Sequence, residues 1–208
     1  EARGGVLFDL GVRYRGYHSD ITRCYVDPRR YPVANRVYLG LVGAFRASCK
    51  FLRPGRALAD FDAAVKRRMA TALVRVGLAR QGGGGAAVAA LLPHAVGHGI
   101  GLAVHELGGS AWTWPLRAGD VLALEIGVYL SSALRGGEDP DWAGPALPDF
   151  RSEDLGLRVE DTVTVTPRGA RPLVSIPYEL SALSGARLSR KTAVARRTRG
   201  SMKHKKRG

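Results

Sequence analysis

Three apolar, β-prone stretches of this sequence each carry a carboxylate near the centre: Asp9 in VLFDLG, Glu125 in VLALEIGV, and Glu160 followed by Asp161 in LRVEDTVTV. An ionised carboxylate among aliphatic neighbours is expensive to bury unless it is paired, hydrogen-bonded or bound to a metal. Any one of them could be the outward residue of an alternating strand, the commonest pattern in a half-buried sheet. Several in one domain call for a shared cause. Asp20 joins the set, eleven positions after Asp9, where two carboxylates can face one another from neighbouring antiparallel strands. A bound cation accounts for all of them.

The rest of the chain supplies the frame. Residues 5–26 hold short β-prone runs broken by Gly11 and Gly16 and read as paired strands. Val37, Tyr38, Leu41, Val42 and Phe45 recur at helical spacing ahead of Pro54-Gly55, and Phe61, Val65, Met69, Leu73 and Val76 repeat the pattern up to Gly77. Two amphipathic helices follow from this spacing. The run RQGGGGAAVAALL reads as a flexible connection; it is no phosphate loop, because no Gly-Lys-Ser or Gly-Lys-Thr follows the glycines. Two further strands are predicted at 121–130 and 156–166, with a long Pro/Gly-rich polar loop between them. Strands, helices and strands again make an α+β domain.

Three of the five histidines, His94, His98 and His105, stand within PHAVGHGIGLAVHELGG. The glycines argue against a helix there, and HELGG lacks the second histidine of the zincin motif. One imidazole with four carboxylates is an oxygen-rich donor set that suits manganese, cobalt, iron or zinc. Four carboxylates exceed the charge of one divalent ion, so two ions are expected.

Charge divides unevenly along the chain. The formal net charge is +14, but residues 187–208 hold ten Lys or Arg and no acid, which leaves 22 basic against 18 acidic residues before them. The tail therefore reads as a disordered basic extension able to make weak polyanion contacts, following a domain at 1–186. Two cysteines without CxxC spacing fit free thiols in a reducing, cytoplasmic setting, and no apolar run is long enough to span a membrane.

Taken in order, DLGVRYRGYHSDITRCY, HAVGHGIGLAVHELGG, LEIGVY and GLRVEDTVTVT resemble the signature blocks of the M24 metallopeptidases of the pita-bread (creatinase/aminopeptidase-like) fold, nearest to the aminopeptidase P and prolidase branch. The resemblance runs from about Gly5 to about Pro177. It implies metal ligands Asp9, Asp20, His98, Glu125 and Glu160, with Asp20 and Glu160 bridging two ions, manganese first and cobalt, zinc or iron as alternatives. It further implies Glu125 as the group that relays a proton, His105 and His94 as hydrogen-bond partners of the substrate, and Arg158 as the cation that balances surplus carboxylate charge from behind the ligands. Ile126 departs from the family pattern, which has proline there. Only eight residues precede Asp9, so the chain resembles the later part of a catalytic unit truncated on its amino-terminal side. The activity implied is hydrolysis of the bond before proline, with a peptide as partner and room for a homodimer. The alternatives are another M24 hydrolase, such as a methionine aminopeptidase, and a non-catalytic binding protein or inactive fragment.

Overall fold

A computed structural model describes residues 5–106, 113–130 and 155–178. Its strands are β1 (Gly5–Leu10), β2 (Arg13–Tyr14), β3 (Tyr17–His18), β4 (Ile21–Val26), β5 (Gly97–Gly99), β6 (Val121–Leu130), β7 (Leu155–Thr166) and β8 (Gly169–Pro172). Three helices, α1 (Pro32–Cys49), α2 (Leu58–Arg75) and α3 (Gly84–Leu91), lie between β4 and β5 in the chain. The main sheet runs β1-β4-β7-β6-β5 with β8 also on β7, and every pairing is antiparallel. β2 and β3 form a separate two-stranded arm. The loop expected at 131–154 and the basic tail lie outside the described residues.

Period-two patterning sorts the sheet into two faces. Leu122, Leu124, Ile126 and Val128 of β6 and Leu157, Val159, Val163 and Val165 of β7 are buried in one core with the helices. From α1 this core takes Val37, Tyr38, Leu41, Val42 and Phe45, and from α2 it takes Phe61, Val65, Met69 and Leu73, the spacing read from the sequence. Pro32 opens α1 at a position where its missing N–H costs nothing. At the start of α2, Ala57 N–H donates to the Asp60 carboxylate at 3.2 Å.

The four-glycine run corrects the sequence reading. Gly84 and Gly85 begin α3, whose Ala87, Val88 and Leu91 are buried. A Cβ on Gly84 would lie 2.6 Å from the Ala70 carbonyl oxygen, so glycine here lets α3 press against α2. The helical layer is cationic: residues 27–81 carry twelve Lys or Arg against three Asp. Among the described residues, no helix is long and apolar enough to cross a membrane.

Candidate metal centre

Strand register places the acids. Asp9 of β1 stands opposite Thr22 of β4, Thr22 opposite Glu160 of β7, and Glu160 opposite Glu125 of β6. Directly paired residues project to the same side of a sheet, so these four side chains form a row across the strands on the face away from the helices. His98 pairs with Ala123, two residues before Glu125, and so shares that face. Asp20 precedes Thr22 by two and is fixed by Thr162, whose hydroxyl accepts from Asp20 N–H at 2.8 Å and donates to Asp20 O at 2.9 Å.

At the centre, Nδ1 of His98 lies 3.0 Å from the Gly99 carbonyl. A carbonyl only accepts, so Nδ1 carries the proton there. Nε2 faces Asp20 Oδ2 at 3.9 Å, Glu125 Oε1 at 3.8 Å and Glu160 Oε1 at 4.0 Å. Those separations are too long for hydrogen bonds. They leave room for a cation between the donors, toward which small side-chain adjustments could bring them to bonding distance. Asp20, His98 and Glu160 each offer one atom, all within 4.8 Å of one another. Glu160 is 2 % exposed, and burial, reinforced by Asp20 and Glu125, pushes its carboxyl up to about 8 although Thr22 Oγ1 donates to it at 2.6 Å. Burial and the neighbouring Asp9 also raise Asp20. Cationic charge in this hollow would relieve both, so the donor set fits a divalent ion.

Asp9 stands apart from that triad. It is 48 % exposed and accepts a hydrogen bond from Arg158 Nη2. Arg158, two residues before Glu160, reaches in among the acids, with Nε 3.8 Å from Glu160 and Nη1 3.8 Å from Glu125. Its Nε also donates to Thr22 Oγ1 at 2.9 Å. Burial works against its charge, but the Tyr129 hydroxyl and the carboxylates of Asp9 and Glu160 hold its pKa above the ordinary value.

The other two histidines flank His98. The His105 ring lies 4.5 Å from the His98 ring, centroid to centroid, and is exposed. His94 Nδ1 donates to the Ala95 carbonyl at 2.6 Å and lies 3.7 Å from Glu125 Oε2, and its Nε2 meets the Tyr129 hydroxyl at 2.9 Å. Tyr129 was not singled out in the sequence, yet its hydroxyl also accepts from Arg158 Nη1 at 3.3 Å and so links the histidine side to the arginine side. It stands four residues after Glu125 on the same strand, and counting alternate positions would have found it. Gly97, beside His98, has a role within the chain: a Cβ there would lie 2.5 Å from the Ala123 carbonyl, so glycine lets β5 close on β6.

With this geometry in view, residues 1–167 match the sequence pattern of Metallopeptidase family M24. An Xaa-Pro dipeptidase of Marinobacter nauticus is 34 % identical over 188 residues, covering 81 % of this chain and 44 % of the relative. The Xaa-Pro aminopeptidase of Escherichia coli is 30 % identical, with 88 % and 42 % covered. Among solved structures, proline aminopeptidase P II from Yersinia pestis aligns with a TM-score of 0.66 at 29 % identity, over 83 % of this chain and 40 % of that one. A zinc-substituted Escherichia coli aminopeptidase P in complex with product gives 0.65 at 27 % identity, over 81 % and 37 %. The chain spans less than half the length of these relatives, and its α+β architecture is that part of their pita-bread fold.

Proposed function

Because the chain belongs to metallopeptidase family M24, on its aminopeptidase P and prolidase branch, we propose that it carries the dinuclear metal centre of a peptidase that hydrolyses the bond before proline. The observation that carries this is the His98 nitrogen turned toward Asp20, Glu125 and Glu160 with no hydrogen bond to any of them. A lone pair aimed at three carboxylates is repulsive unless positive charge lies between them. Asp20, His98, Glu125 and Glu160 would hold the ions, with Asp9 completing the set once its carboxylate turns from Arg158. The oxygen-rich donors favour manganese.

Divalent ions held there would lower the pKa of a water from about 15.7 toward 7 and polarise the scissile carbonyl. Glu125, whose carboxylate lies 3.7 Å from His94 Nδ1 at the open side, would take the proton and pass it to the leaving amine. His105, exposed beside His98, would donate a hydrogen bond to the substrate, and His94, whose two ring nitrogens meet the Ala95 carbonyl and the Tyr129 hydroxyl, would do so on exchanging its Tyr129 contact for the substrate. Arg158, reaching in among the acids, would keep their surplus negative charge tolerable. The names of the relatives above, all Xaa-Pro or proline peptidases, favour this substrate class over a methionine aminopeptidase.

The test pairs metal analysis with hydrolysis of peptides that differ only in proline or alanine at the second position. With manganese, the proline peptide should be cleaved and a chelator should abolish cleavage. Glu160→Ala should lower metal occupancy at least tenfold and further than Arg158→Ala does, because it removes a shared ligand. Equal occupancy in the two variants would remove Glu160 from the metal shell, and metal binding without cleavage would favour the non-catalytic alternative.

A further inference from the structure

Behind the row of acids, on the helix side of the sheet, lies an ion pair that the metal centre does not use. Arg23 is 4 % exposed and Asp161 fully buried, and Arg23 Nη2 donates to Asp161 Oδ1 at 2.7 Å. Nη2 also reaches the Ile176 carbonyl at 3.2 Å, while Nη1 donates to the Glu160 carbonyl at 2.6 Å and the Thr22 carbonyl at 3.0 Å. The Tyr178 hydroxyl donates to Asp161, and its ring lies 4.2 Å beneath the guanidinium. Arg23 Nε has no partner among the described residues. A buried ion pair with an unsatisfied donor is weak evidence for stability, and fixing a register is the better-attested use of such pairs.

The register here needs fixing. β4 joins β7 through the single pair Thr22↔Glu160, whereas β6 and β7 share ten. One nitrogen of Arg23 grips the carbonyls of both members of that pair, and their side chains stand together in the acidic hollow. We propose that Arg23, braced by Asp161 and Tyr178, is a positioning residue that holds the backbones of Thr22 and Glu160 at the depth an ion requires, a role that rests on the metal-centre reading above. Ligand placement tolerates errors of only about 0.5 Å, so a clamp on the backbone carries through to the metal.

The test uses the 208-residue chain loaded with cobalt, read by its visible absorption bands and by calorimetric affinity. Arg23→Lys keeps the charge but loses the planar fork and should weaken cobalt binding about tenfold and shift the bands. Tyr178→Phe, which removes one hydroxyl and keeps the ring, should act in the same direction by a smaller factor and decides the matter if Arg23→Lys does not fold. Leu73→Ala, a buried change in α2, should lower the thermal midpoint and leave bands and affinity alone. Wild-type bands and affinity in both clamp variants would overturn the role, as would an equal shift in Leu73→Ala. A wild-type chain without cobalt bands would overturn the metal centre itself, which is a different result.

Discussion

If Glu160 holds metal as proposed, folding and function oppose each other at this residue. Its carboxyl rises from 4.5 unfolded to about 8 folded, because burial and two neighbouring acids disfavour its charge. Between those values the folded chain holds a proton that the unfolded chain has released. The metal-free protein therefore loses stability as pH rises through that window, by an amount on the order of a few kcal/mol at pH 8. Asp20, also raised by burial, acts with the same sign. Thermal unfolding in chelator should show a midpoint that falls from pH 5 to pH 8, and manganese should restore it, since an ion that binds only the folded state stabilises it. Glu160→Gln should raise the chelated midpoint at pH 8 and abolish that restoration. A midpoint that climbs over this range in chelator would mean that Glu160 is ionised and already balanced by Arg158.

The sheet consists of two well-zipped pieces and a narrow joint. Six residue pairs tie β1 to β4 and ten tie β6 to β7, but only Thr22↔Glu160 joins the two pieces as a ladder. Asp9 and Asp20 belong to one side of that joint, and Glu125 and His98 to the other. Ions held between them would lace the pieces together. Hydrogen exchange should therefore quicken at least tenfold in peptides covering residues 6–26 when metal is removed, while β6 stays protected; uniform quickening would mean that the sheet opens as one unit. Much of this was legible beforehand. The period of two exposed Asp9, Glu125 and Glu160 as misplaced acids, and the period of 3.6 placed α1 and α2. α3 was hidden because its opening glycines carry no helical preference, and contact with Ala70, a distant residue, explains them. Arg23 and Tyr178 left no local signal either, because their partner Asp161 lies more than a hundred residues from Arg23 and only pairing across the sheet brings them together.

At the level of the whole molecule, the described elements make two layers of unequal charge, a cationic helical layer and a sheet layer whose described residues hold seven basic and seven acidic side chains. The helices between β4 and β5, with the loops that join them, carry twelve basic residues against three acidic ones, and the far face of the sheet holds the hollow of Asp9, Asp20, Glu125 and Glu160. That separation makes the domain an electric dipole across its own thickness. A cation approaching from the helical side is repelled and one approaching the hollow is drawn in, and low-dielectric walls concentrate the field in such a cleft. The free ammonium of a peptide's first residue is such a cation, as is a divalent ion. The rate of manganese uptake, followed by stopped flow, should fall as salt rises from about 0.01 to 0.15 M, over which the screening length shrinks from about 30 to 8 Å. A flat rate would show that the layers screen each other at close range. If it falls, the arginines of α1 and α2, far from any chemistry, act as the back wall of a funnel, and the molecule meets its cations already facing the right way.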